Sequence, residues 1–337
     1  MNPKALRVVV AGAGHWHAAR HLDALRALGH TIAGVTDPSR EQAERVGAQC
    51  KCPWGSDVGD MADRIKPDLI MGMAVHRDVP ALLEQLLETG RPLLLEKPLG
   101  RSAAEARPLV EKARRTGQFV AVCFPLRYAI LWQRLQELRA AGEYGEVSYA
   151  SFRIINGSPE RYRLDGVTWM LDPALAGGGS LLNIGIHACD AFLRVAGGPV
   201  TVLAASCSNR IHRLPIEDYS MATLRSSTGV LGLIESGYSY PALSGGDLEW
   251  RVVSEQAYLQ LGRESFSLRT MAGRHEVLRP PSLLDLYRIM LEDAIRRLRR
   301  GAPPDAGLQD CLEAMELVDA IYAAAGPLPY RSRAVQE

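Results

Sequence analysis

The stretch Leu6-Arg7-Val8-Val9-Val10-Ala11-Gly12-Ala13-Gly14-His15-Trp16-His17 decides how the first third of the chain is read. Leu6 to Val10 is a short β-branched run, the pattern of a parallel strand buried on both faces. Ala18, Leu22 and Leu25 then recur at helical spacing, and Gly29 stops the helix. A glycine-rich turn that leaves a strand and opens a helix meets the conditions for dinucleotide binding. Gly12 permits the tight bend, and Gly14 lets backbone amides approach a pyrophosphate, whose charge is favoured at a helix N-terminus. This assigns Gly12, Gly14, His15 and Trp16 to the cofactor. His17 replaces the third glycine of the usual fingerprint, which implies a slightly displaced helix or a side chain directed outward. Taken alone, the turn also reads as an ordinary strand-to-helix connection.

Further strands follow at Ile32–Thr36, Leu69–Met73, Leu93–Leu95 and Phe119–Cys123. Helical segments separate them: one opened by Asp37-Pro38, with Pro38 in its first turn, then Ala81–Thr89 and Ala103–Thr116. Strand–helix–strand units at this spacing predict a doubly wound parallel sheet with right-handed crossovers. Asp37 ends the second strand, 23 residues past Gly14. There a carboxylate accepts hydrogen bonds from the adenosine ribose and repels a 2′-phosphate, favouring NAD over NADP. Arg40 nearby is suited to a phosphate and keeps NADP as the alternative. Asp37 also reads as a helix N-cap ahead of Pro38.

After residue 124 the texture changes. A helix over Ile130–Ala140 leads to a strand over Val147–Ile155, and from Val200 to about Leu268 come strand-like runs without crossover helices. Their order predicts a mostly antiparallel sheet. Two helices close the chain, around Ser282–Arg300 and Gly307–Ala325; the arginines 296, 297, 299 and 300 suit the negative end of the first helix dipole. The expected division is a dinucleotide-binding domain over 1–123 and a substrate-binding and oligomerisation domain over 124–337. A length of 337 residues with 47% hydrophobic content is enough for two such cores. A net charge of +1 gives no basic excess for nucleic acid or an anionic membrane. No apolar run reaches the roughly 18 residues that span a bilayer, and the start leaves no room for a secretory leader. Six scattered cysteines read as reduced thiols of a cytoplasmic protein, and neither they nor the eight histidines show metal-ligand spacing.

The candidate chemistry lies in two distant segments. In Glu96-Lys97-Pro98, proline pushes Lys97 into an extended conformation at the carboxyl end of its strand, where open α/β sheets bind ligands. His76 lies at the corresponding end of the preceding strand, as a nicotinamide-ribose contact or a structural loop histidine. Downstream, a helix over Leu181–Ala196 puts Asn183, His187, Asp190 and Arg194 on one polar stripe, opposite Leu182, Ile186, Cys189 and Leu193. That stripe is either a ligand face or a surface face. Gly185 inside the helix is explained by close approach to a ligand. Oxidising an alcohol requires removal of the hydroxyl proton. Histidine is the natural base near neutral pH, and a lysine ammonium beside the same oxygen stabilises developing charge.

These residues resemble the glucose–fructose oxidoreductase / inositol dehydrogenase (Gfo/Idh/MocA) family over nearly the whole chain. The resemblance is carried by the N-terminal turn, Glu96-Lys97-Pro98-Leu99, Phe124 with Arg127 and Tyr128, Trp169 through Asp172-Pro173, Gly177-Gly178-Gly179, Asn183-Ile184-Gly185-Ile186-His187 with Asp190, and Asp310 to Tyr322. It implies a Rossmann domain plus an α/β domain whose open sheet forms a dimer or tetramer face. It implies NAD or NADP, with sugars, cyclic polyols or their derivatives as substrates. Lys97 and His187 take the catalytic roles, joined by Asn183 where many members carry an aspartate. Glu96 and Lys97 border the cofactor, and Arg127, Tyr128 and Trp169 line the substrate. Val75-His76-Arg77 departs from the family's common Pro-Asn pattern. Two other activities remain compatible: redox-neutral, NAD-dependent glycoside cleavage, and a non-catalytic dinucleotide-sensing regulator.

Overall fold

A computed structural model of the chain describes residues 4–330. They form two compact units, one of residues 4–125 with 283–312 and the other of residues 126–282 with 313–330. The helix Leu283–Arg299 packs with the first unit. Its Tyr287 ring stands edge-on to His21 at 5.3 Å, and Leu286, Met290, Leu291 and Ile295 are buried with it.

The first unit holds β1 (Arg7–Ala11), α1 (Ala18–Ala27), β2 (Thr31–Thr36), α2 (Arg40–Cys50), β3 (Trp54–Gly55), α3 (Val58–Ile65), β4 (Leu69–Gly72), α4 (Val79–Glu88), β5 (Leu93–Leu95), α5 (Ala103–Thr116) and β6 (Val120–Val122). The six strands are parallel, in the order β3-β2-β1-β4-β5-β6. Val8, Val9, Val10, Ile70 and Leu93 have no measurable exposure, as expected for strands covered by helices on both faces. The order reverses beside β1, and that switch point is where open α/β sheets bind their ligands. The register levels the carboxyl edge: Ala11 pairs with Thr36 and Gly72, Gly72 with Leu95, and Leu95 with Val122. Gly12, Asp37, Met73, Glu96 and Cys123 therefore follow their strands in one row. The two-residue β3 and the eight-residue α3 escape the sequence reading.

The second unit holds α6 (Ile130–Ala141), β7 (Val147–Gly157), α7 (Glu160–Leu164), α8 (Pro173–Ala176), α9 (Ile186–Ala196), β8 (Val200–Ser208), β9 (Tyr219–Ser226), β10 (Leu231–Tyr240), β11 (Gly246–Ser254), β12 (Ala257–Gly262), β13 (Phe266–Thr270) and β14 (His275–Leu278). The strands form one sheet in the order β14-β13-β12-β11-β7-β10-β9-β8, antiparallel except for the pair β7–β10. On β9 buried and outward residues alternate from Ser220 to Ser226, so one face of that strand packs inward. Phe152 and Trp250 meet edge-on at 5.2 Å in that core.

Candidate active site

In the first unit the cofactor turn is built by backbone hydrogen bonds. Gly12 and Ala13 donate to Thr36 O at 2.8 and 3.0 Å. Gly12 has φ +75°, and an added Cβ would lie 1.7 Å from Met73 O, so only glycine fits. Gly14 donates its N–H to Asp37 Oδ2 at 2.7 Å, while Asp37 Oδ1 accepts from Ser39 N at 2.8 Å. Ser39, not Asp37, caps α2, accepting from Gln42 N, and Pro38 precedes the helix instead of lying in its first turn. Each Asp37 oxygen keeps a second lone pair for a ribose hydroxyl. The first turn of α1 has no acidic side chain and its cap residue makes no side-chain bond, which leaves that helix end suited to a pyrophosphate. The turn thus fits a dinucleotide. Arg40 is exposed and stands over the Trp54 ring at 5.6 Å.

Of the two expectations for His17, a displaced helix or an outward side chain, the second fails: the side chain turns inward. It is buried, with Nδ1 3.2 Å from Glu96 Oε1. His21, one helical turn further, places Nε2 2.6 Å from the same oxygen. The space a third glycine would leave between helix and strand is filled by an imidazole that reaches the strand-end carboxylate. Burial pushes the His17 pKa down to about 4, with the pull of Glu96 a smaller opposing effect. Burial alone would raise Glu96, but the two histidines outweigh it and hold the carboxyl well below its usual range. Lys97 is itself buried, and the Lys97–Pro98 peptide bond is cis. Burial lowers its ammonium pKa, with Glu96 opposing. His76 is buried in the single turn His76–Asp78 after β4. His15 and Trp16 are half-buried in the turn, and the Trp16 ring lies 3.9 Å from that of His17.

In the second unit the expected single helix is two pieces: a π-helical turn over Leu181–Gly185, then α9. The polar stripe is not a surface face. Asn183 and Asp190 are buried, while His187 and Arg194 are half-buried. Asn183 Nδ2 donates to both the Tyr162 and Tyr238 hydroxyls, each at 2.8 Å. Tyr162 also accepts from Arg161 at 2.8 Å and meets the Tyr238 ring edge-on at 5.6 Å. Tyr162 is thus a buried ring held by aromatic packing and hydrogen bonds. Arg127 donates from Nε to both Asp190 oxygens, at 2.9 and 3.1 Å, and from a terminal nitrogen to Asp190 Oδ1. Tyr128 and Trp169 are half-buried on short 3₁₀ turns.

The small residues of this segment answer to packing. An added Cβ on Gly185 would meet Ser236 Oγ at 2.9 Å, so β10, not a ligand, accounts for that glycine. A Cβ on Gly179 would meet Glu217 O at 2.2 Å. Buried Glu217 accepts from Gly179 N, Leu181 N and the Tyr322 hydroxyl at 2.9, 2.8 and 2.8 Å, anchoring the start of the π-helical turn. Sequence reasoning missed Glu217, His21 and Tyr238 as site-building groups. Only His17 and His21 left a signal, their i, i+4 spacing.

Residues 6–124 match the model of an oxidoreductase family with an NAD-binding Rossmann fold, and residues 132–260 match the Gfo/Idh/MocA C-terminal domain. Among curated relatives, a dTDP-3,4-didehydro-2,6-dideoxy-α-D-glucose 3-reductase of Streptomyces violaceoruber is 28% identical, with 96% of each chain covered. D-Glucoside 3-dehydrogenase of Escherichia coli K12 is 28% identical over 59% of this chain and 56% of that one. Among solved structures, levoglucosan dehydrogenase in complex with NADH and levoglucosan superposes with a TM-score of 0.85 at 15% identity, covering 96% of this chain and 97% of that one. With both halves matched, the chain belongs to the Gfo/Idh/MocA family of NAD-binding oxidoreductases.

Proposed function

We propose that the protein interconverts a hydroxyl and a carbonyl on a sugar, cyclic polyol or derivative, with Lys97 and His187 as its proton-handling groups. The observation that carries this reading is the buried Lys97 on the same carboxyl edge of the parallel sheet as the Gly12–Gly14 turn and Asp37. The dinucleotide, when bound, supplies the two-electron exchange at the carbinol carbon. Gly12, Gly14, His15 and Trp16 would cradle its pyrophosphate, and Asp37 its adenosine ribose. His76 and the strand-end residue Glu96 would border the nicotinamide half. The lowered ammonium pKa of Lys97 makes its proton easier to exchange near neutral pH. His187 would take or return the hydroxyl proton. Asn183, whose amide N–H groups go to Tyr162 and Tyr238, would position those rings and move no proton. Tyr128 and Trp169 would shape the substrate end, with Arg127 fixed behind them by Asp190. The names of the sugar-active relatives support the substrate class.

In this reading the first unit binds the dinucleotide, and the second binds substrate and forms a homodimer or homotetramer. Exposed Leu203, Met221 and Tyr258 on the eight-stranded sheet support that second role. Free cysteines at all six positions fit a reducing cytoplasm, and no helix among the described residues is long and apolar enough to cross a membrane. The test is a screen of sugars, polyols and sugar acids with NAD and NADP, following reduced-nicotinamide absorbance. Accumulation of reduced cofactor with a member of this class is expected. Binding of dinucleotide without turnover of any substrate would point to a regulator. Free sugar released from a glycoside without reduced cofactor would point to redox-neutral cleavage.

A further inference from the structure

Three side chains in the first unit, His21, Glu96 and Cys123, converge on one buried point; His17 reaches it through Glu96 Oε1, and the oxidoreductase reading gives His17, His21 and Cys123 no role. His17 and His21 lie one turn apart on α1 and face the same way, the i, i+4 arrangement by which a helix presents two imidazoles to one ion. Glu96 and Cys123 follow the adjacent strands β5 and β6, in the row set by the Leu95–Val122 pairing. The donor atoms of His21, Glu96 and Cys123 all lie within 4.8 Å of one another, and every one of these residues is buried. Two imidazoles, a carboxylate and a thiol make a donor set of mixed softness that suits zinc.

The distances can be set against a tetrahedron. Zinc–nitrogen and zinc–oxygen bonds of about 2.0–2.2 Å and a zinc–sulfur bond of about 2.3 Å give edges of roughly 3.3 Å between N and O and roughly 3.6 Å between N and S. His17 Nδ1 to Glu96 Oε1 is 3.2 Å, already that edge. Cys123 Sγ to His21 Nε2 is 4.0 Å and would close by a few tenths of an ångström. His21 Nε2 to Glu96 Oε1 is 2.6 Å, a hydrogen bond that would open as the ion replaces its proton.

Two buried atoms point the same way. His17 Nδ1 and Glu96 Oε2 have no hydrogen-bond partner. A buried acceptor without a partner is costly, and an ion bound by His17 Nδ1 would satisfy that nitrogen. The thiolate and carboxylate would also neutralise a divalent charge, leaving the site neutral overall. We propose that His21, Glu96 and Cys123 hold a zinc-class divalent ion, with His17, 3.2 Å from Glu96 Oε1, drawn in as its fourth ligand. Such an ion would clamp α1 to the ends of β5 and β6 and fix Glu96 one residue before Lys97.

The full-length protein, stripped with chelator, is titrated with Co²⁺ and in parallel loaded with Zn²⁺. One equivalent of Co²⁺ should produce intense tetrahedral visible bands and a sulfur-to-cobalt charge-transfer band. Cys123→Ser should abolish the charge-transfer band, and His21→Ala should weaken the visible ones. X-ray absorption on the zinc-loaded wild-type chain needs no variant to fold, and it should resolve one sulfur among nitrogen and oxygen neighbours. A sulfur-free zinc shell, or cobalt spectra unchanged by Cys123→Ser, would place the ion elsewhere and overturn the proposal, as would a folded wild-type chain that takes up no cobalt. None of these readouts depends on turnover, so the site and the proposed reaction stand or fall separately.

Discussion

The backbone N–H of Gly14 donates to Asp37 Oδ2 at 2.7 Å, tying the glycine turn after β1 to the carboxylate that ends β2. That bond joins the two segments proposed to hold the dinucleotide, beside those from Gly12 and Ala13 to Thr36 O. Asp37→Ala should weaken NAD binding and relax discrimination against NADP, because the charge that repels a 2′-phosphate is removed. Gly14→Ala should weaken both cofactors alike, since its Cβ would press on Asp37 Oδ2 and Gln42 Cβ, each 2.9 Å away. Titration of both variants with NAD and NADP separates these outcomes. An unchanged NAD/NADP ratio in Asp37→Ala would remove Asp37 from the ribose.

Lys97→Ala should lower kcat by about 10² to 10⁴ while NAD affinity stays near wild type. The reason is chemical: in the proposed reaction the amine would handle the proton, while the turn and Asp37 would hold the cofactor. Single-turnover kinetics beside a cofactor titration tests the split. Collapse of NAD affinity with normal turnover per bound complex would make Lys97 a binding group instead.

Arg127 and Asp190 form a buried, multiply hydrogen-bonded ion pair within the second unit. Removing one member leaves the other charge buried alone. Asp190→Ala should therefore cost about 3 to 5 kcal/mol of stability. Asp190→Asn, which keeps an acceptor, should cost less. Denaturant unfolding gives both values; a loss under about 1 kcal/mol for Asp190→Ala would mean that water reaches the guanidinium.

The parallel sheet was legible because its strands are apolar runs punctuated by glycine, and β5 and α5 fall on the residues the pattern marks. The place of Lys97 just past the end of β5 was legible from the apolar run before it and the proline after it. What sequence could not carry is which polar groups meet after folding. Nothing in the spacing of Glu96, Cys123 and His21 announces that register and helix packing bring them together. Nor does the run 177–185 announce that its glycines answer to Glu217, Tyr322 and Ser236. A periodicity argument also assumes α geometry, so the π-helical turn at Leu181–Gly185 lay outside its reach.

Glu217 gives the pH prediction. Its carboxyl is pushed above the ordinary 4.5 because burial outweighs the three donors from Leu181, Tyr322 and Gly179. A group raised in the folded state takes up its proton there before the unfolded chain does. Its contribution is thus fully present below pH 4.5 and is lost as pH rises through the folded value. Glu217→Gln cannot titrate, and its amide placed against Gly179 N or Leu181 N costs the same at every pH. The stability of wild type relative to Glu217→Gln should therefore grow as pH falls from neutrality toward 4.5 and level off below it. Paired urea unfolding curves across that range measure the difference directly. A wild type that instead loses ground to the glutamine variant on acidification would mean that the three donors win over burial and that the carboxylate enters the fold charged.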